Sequence, residues 1–130
     1  MTYPNDIHGL LHAFADSAAD SAAFVADCRA HEHSVSKVRS DEAWAWAENI
    51  GVYYFRTDEE VLYVGRALTG FGGRISSHLR TGNDEWDAAI GRDDAVLGLF
   101  RVPPNRWYMA AALELYLIDA LNPRWNIRRG

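Results

Sequence analysis

The chain has 130 residues, 48% apolar and 12% aromatic, which is enough for one compact domain and too few for two ordinary ones. No apolar run approaches the ~20 residues of a transmembrane helix, no basic start with an apolar core opens the sequence, and the one cysteine, Cys28, cannot form an internal disulfide, so a reducing, cytoplasmic setting with no membrane partner is expected. The net charge of −5 belongs to residues 1–50, with eight acids against three bases, while residues 51–130 carry ten of each sign, so nucleic-acid contact would have to rest on local clusters.

Residues 1–50 read as an acidic helical extension. Ile7, Leu10, Leu11 and Phe14 stand at i, i+3, i+4 and i+7, one face of a helix. A second helix is expected after the N-cap Ser17, through Ala18, Ala22, Phe24, Val25 and Cys28. A third is expected after Ser40, where Ala43, Trp46, Ala47 and Ile50 repeat the spacing; the alternation of Trp44 and Trp46 fits a strand less well.

The pattern changes at Gly51. Residues 51–55 are β-branched and aromatic, 56–60 form a polar turn and 61–64 a second strand, together a hairpin. A loop with three glycines covers 68–73. A short helix is expected at 74–80 and another at 83–90, capped by Asn83 or Asp84. A strand at 95–102 is stopped by Pro103 and Pro104, and Asn105 caps a long apolar helix at 106–121, with Pro123 beyond its end. The order of strands and helices predicts an α+β fold over 51–130.

Three clusters carry chemistry. Glu114 is the only charged residue between Trp107 and Ile118, and a carboxylate on an apolar helix face needs a metal ion, an arginine partner or exposure at the helix edge. Arg74 and His78 lie four apart on one face of their helix, with Arg66 and Arg80 near in sequence, a set suited to phosphate. Tyr53, Tyr54 and Tyr63 form the third cluster; strand alternation sends Tyr53 and Tyr54 to opposite faces, so only one of them can share a site with Tyr63. A phenol, with its pKa near ~10, becomes a usable base only beside cations. Each cluster also fits a plain structural role: an ion pair, surface charges, aromatic packing. The pair His8 and His12, the run Cys28, His31 and His33, and the glycines at 70–73 lack the companions that a zinc site or a nucleotide loop requires, and no role is assigned to them.

Taken together, these residues resemble the GIY-YIG nuclease superfamily. Gly51-Val52-Tyr53 and Tyr63-Val64-Gly65 look like its paired signature, with valine for isoleucine in both triplets. Arg66-Ala67 resembles the basic-small pair that follows, Arg74 the helix arginine, and His78 a position often His or Tyr. Glu114 resembles the metal-binding glutamate of a later helix, and Asn126 the asparagine that follows it after a proline. The resemblance spans residues 51–126. It implies a small three-stranded antiparallel sheet flanked by helices, here with an N-terminal helical extension, and a division into residues 1–50 and a nuclease domain at 51–130. It also implies an endonuclease that hydrolyses phosphodiester bonds in DNA with one divalent ion, Mg2+ or Mn2+, held by Glu114. Tyr53 or Tyr63 would activate the attacking water, Tyr53 being favoured. Arg74 would balance charge on the phosphate, and His78 and Arg66 would orient water or phosphate. Arg80 and Asn126 complete the expected substrate-contacting set, Asn126 more as a brace. The acidic helices are expected to serve as a packing layer, a homodimer surface or a contact for a protein partner. The alternative is a non-cleaving nucleic-acid-binding or protein-interaction module on the same fold.

Overall fold

The computed structural model describes residues 7–18 and 30–126. Residues 19–28 of the predicted second helix, with Cys28, lie outside them. The elements run α1 (Ile7–Ala18), β1 (Ala30–Ser34), α2 (Val35–Ser40), β2 (Gly51–Arg56), β3 (Val61–Ala67), α3 (Phe71–Leu79), α4 (Asp84–Ile90), β4 (Val96–Arg101), a 3-10 turn (Pro104–Arg106) and α5 (Tyr108–Leu121). The strands form one antiparallel sheet in the order β1-β4-β2-β3. The α+β class and the helix-flanked antiparallel sheet are as expected. None of the described helices is long and apolar enough to cross a membrane.

The two faces of the sheet bury different sets of residues. On one, Val52, Tyr54, Val64 and Phe100 pack with Ile7 and Leu11 of α1 and with Ala110, Leu113, Leu117 and Leu121 of α5. Leu113 and Leu117 are fully buried, each worth about 2 kcal/mol in transfer free energy. On the other face, Tyr53, Phe55, Leu97 and Leu99 pack with Val35 and Val38 of α2, Phe71 and Ile75 of α3, and Trp86 and Ile90 of α4.

The sheet has four strands rather than three, because residues 30–34, read from sequence as part of a helical segment, form β1 on the free edge of β4. The polar run Ala-His-Glu-His-Ser hides this, since its inward residue is a carboxylate. Glu32 enters beside buried Arg56 of β2. Its Oε1 accepts from Arg56 Nη2 at 2.6 Å, and its Oε2 accepts from Arg56 Nε at 2.9 Å and from the Tyr54 hydroxyl at 2.5 Å. His8 Nε2 of α1 stands 3.1 Å from the same oxygen. Burial opposes the charge of Glu32, but the hydrogen bonds from Arg56 and Tyr54 outweigh it and hold the carboxyl at about 2. Part of the N-terminal acidity is therefore spent inside the molecule.

The third predicted helix is also displaced. The helix is α2, six residues earlier, opened by the Ser34 hydroxyl accepting from Lys37 N–H at 3.3 Å, while residues 41–50 form turns. Their carbonyls are needed elsewhere. Ala47 O accepts from Gly72 N–H at 2.8 Å and Asn49 O from Phe71 N–H at 2.9 Å. These bonds satisfy the first N–H groups of α3, whose own N-cap, Gly70, offers no side chain. Trp44 and Trp46 stack at 4.8 Å and 8° instead of lining a helix. Asn105 is not an N-cap: it lies in the 3-10 turn, and α5 starts at Tyr108.

Candidate active site

The site is built on β3, the edge strand. Tyr53 comes from the central strand β2 and pairs with Gly65 of β3. A Cβ on Gly65 would stand 2.5 Å from both Cζ and Oη of Tyr53, so glycine is what lets the phenol cross the strand to the sheet edge. At the start of β2, Gly51 has φ 151°, and a Cβ there would lie 2.0 Å from Phe100 O, so this glycine answers to backbone geometry, as Gly65 answers to the Tyr53 side chain. The tyrosines of β2 diverge as alternation requires: Tyr53 joins the cluster of α2, α3 and α4, and Tyr54 the cluster of α1 and α5.

His78, in the last turn of α3, meets the Tyr53 hydroxyl through Nε2 at 2.8 Å. Tyr63 packs beside both, its ring 4.7 Å from His78 and 6.1 Å from Tyr53. Phe55 and Trp86 complete the enclosure of the imidazole at 5.6 and 5.8 Å. Burial, then the charge of Arg74, hold His78 below the ordinary imidazole value. Burial, with the neighbouring Tyr63 hydroxyl, pushes the Tyr53 phenol well above its usual range, and Arg74 opposes this. Tyr53 is thus a neutral phenol joined to a neutral imidazole.

The other half of the site lies across β3. Arg66, directly after Gly65, takes the opposite face of the strand, where its Nη1 donates to Glu114 Oε1 of α5 at 3.0 Å. The Glu114 side chain is 17% exposed and that of Arg66 42%. Burial raises the Glu114 carboxyl, and the charges of Arg66 and Arg74 act against the rise. Arg74 is exposed on α3, and its charge bears on Tyr53, His78 and Glu114 alike. The arginine partner weighed for Glu114 from sequence is therefore present.

Two expected substrate contacts stand elsewhere. Asn126 spends its amide on the backbone of β3, with Oδ1 accepting from Val64 N–H at 2.9 Å and Nδ2 donating to Val64 O at 2.8 Å. It braces the edge strand, as Trp125 does by donating its backbone N–H to Leu62 O at 3.0 Å. Arg80 follows α3 and lines a separate groove with Arg39, Asp41 and Trp44. Sequence reading missed Phe55, Trp86 and Trp125, which wall in His78 or its surroundings; Trp86 and Trp125 carry no spacing signal, and only the folding of α4 and the tail onto β3 joins them.

Glu114 is a single, partly buried carboxylate next to exposed arginines. Such a donor fits a hard cation that keeps most of its waters and shares a substrate phosphate. Among the described residues no three His, Cys, Asp or Glu side chains converge, so a closed protein cage of the zinc kind is not what this donor set offers.

No family model and no curated protein matches the chain. The structure is similar to two solved structures of the GIY-YIG N-terminal endonuclease domain of UvrC from Thermotoga maritima, both point mutants bound to the catalytic divalent cation. The first is 26% identical and the second 25%, each with a TM-score of 0.52, over 65% of this chain and 89% of the other. The fold matches the GIY-YIG superfamily, a nuclease fold.

Proposed function

We propose that this protein is a metal-dependent endonuclease that hydrolyses phosphodiester bonds in DNA at the edge of β3. The observation that carries the reading is the joining of Tyr53 to His78 beside Arg74 and the Arg66–Glu114 pair, on a fold shared with an endonuclease domain.

Glu114 would hold one divalent ion, Mg2+ or Mn2+, which when bound supplies Lewis-acid polarisation of the scissile phosphate and stabilises the leaving oxygen. The chain's own groups do the rest. The Tyr53 hydroxyl takes a proton from the attacking water while passing its own to Nε2 of His78, 2.8 Å away. This transfer needs no free phenolate, which matters because burial disfavours one at Tyr53. Arg74, exposed beside the cluster, faces the charge that develops on the phosphate. Arg66 holds the Glu114 carboxylate in place and offers its remaining N–H groups to phosphate oxygens. Tyr63 positions the imidazole by packing against it.

The test is incubation of labelled DNA with purified protein in Mg2+, Mn2+ or chelator. Cutting that needs a divalent ion supports the reading. Binding without cutting under every condition favours the non-cleaving module instead.

A further inference from the structure

A cavity of about 190 Å3 opens beside the tyrosine cluster, lined by Tyr63, His78, Thr81, Asn83, Trp86 and Trp125. Tyr63 and His78 belong to the candidate active site, so the cavity shares a wall with it. Two of the remaining walls, Trp86 and Trp125, are aromatic. Trp86 and Trp125 meet edge to face, with centroids 5.5 Å apart at 74°, and Tyr63 stands edge-on to Trp86 at 6.0 Å and 78°. Trp86 is fixed, since its Nε1 donates to His78 O at 2.8 Å. The Nε1–H of Trp125 is buried and has no hydrogen-bond partner among the described residues. At the rim, Asn83 Oδ1 caps α4 by accepting from Trp86 N–H at 3.0 Å.

A slot the size of a small ring system, walled largely by aromatic rings with the Asn83 side chain at its rim, suits a planar ring system with polar edges. A nucleobase is such a group. We propose that this cavity takes the base of an unpaired nucleotide adjacent to the scissile phosphate, so that the substrate is single-stranded or locally unpaired DNA. The proposal rests on the nuclease reading above. A base in continuous duplex is stacked and paired, and reaches a cavity of this kind only by leaving the stack.

The experiment compares five labelled oligodeoxynucleotides: a single strand, its perfect duplex, the duplex with one unpaired nucleotide at the cut position, and two single strands, one with an abasic nucleotide on the 5′ side of the cut and one with it on the 3′ side. The first and third are expected to be cut at least tenfold faster than the perfect duplex. An abasic nucleotide on one side of the cut is expected to raise KM at least tenfold. Trp125→Leu is expected to raise KM for the normal strand and to leave that abasic strand unaffected. The abasic comparison uses the unaltered protein, so it stands even where Trp125→Leu folds poorly. Equal cutting of single strand and duplex, with no effect of the abasic nucleotide, overturns the base pocket and leaves the nuclease reading intact. No cutting and no binding of any strand overturns both.

Discussion

The hydroxyl of Tyr53 and Nε2 of His78 stand 2.8 Å apart, although one residue sits on the central strand and the other at the end of α3. His78 accepts a proton only when neutral, and its folded value lies below the ordinary 6.5. Cleavage is therefore predicted to fall only as pH drops below the usual imidazole range, on an acid limb set by the lowered value. His78→Gln should lower kcat about 10²-fold and remove that limb. A pH–rate profile of both proteins checks this, and an unchanged limb in the variant would contradict it.

Gly65→Ala tests the crossing of the strand. The new methyl would fall 2.5 Å from the Tyr53 ring, which is 1% exposed and has little room to yield. A loss of about 1–3 kcal/mol in stability is expected from overpacking, and a loss of activity matching that of Tyr53→Phe. Urea denaturation and cleavage rates read the two effects separately.

Glu32→Ala should destabilise the protein by about 3 kcal/mol, because it removes the carboxylate that takes two hydrogen bonds from Arg56, whose side chain is only 5% exposed, and one from Tyr54. The Glu32 carboxyl titrates at about 2 in the folded protein and near 4.5 otherwise. Its folded value is depressed, so its stabilisation is present above about 4.5 and is lost as pH falls through about 2. Denaturant midpoints of the wild type should fall across that window, and those of Glu32→Ala should fall less.

The hairpin was legible in the sequence because its signature residues answer to local demands: Gly51 to its positive φ, Gly65 to the Tyr53 ring, Tyr53 and Tyr54 to strand alternation. Glu114 announced itself as a lone carboxylate in an apolar helix, and Arg66 answers it. The strand β1 was not legible. Its inward residue is charged and its partner Arg56 lies 24 positions away, so no local pattern marks it. Residues 41–50 carry a helical spacing, yet their carbonyls cap α3, a tertiary demand that overrides local preference. Trp86 and Trp125 come together only through the packing of α4 and the tail along β3.

Asn126→Ala separates bracing from substrate contact. Two hydrogen bonds to Val64 are removed, at about 1 kcal/mol each. The variant should melt earlier and lose kcat with little change in KM. A raised KM at unchanged stability would instead assign Asn126 to substrate binding.

Cleavage by Glu114→Ala beside the wild type, with divalent-ion binding followed by calorimetry, tests the central claim most directly. The Arg66 side chain is 42% exposed and can rehydrate, so the fold should survive with a small change in melting temperature. The account predicts that divalent-ion binding and cutting are both lost, the rate by at least about 10²-fold. Wild-type cutting that persists in Glu114→Ala, or in chelator, would contradict it.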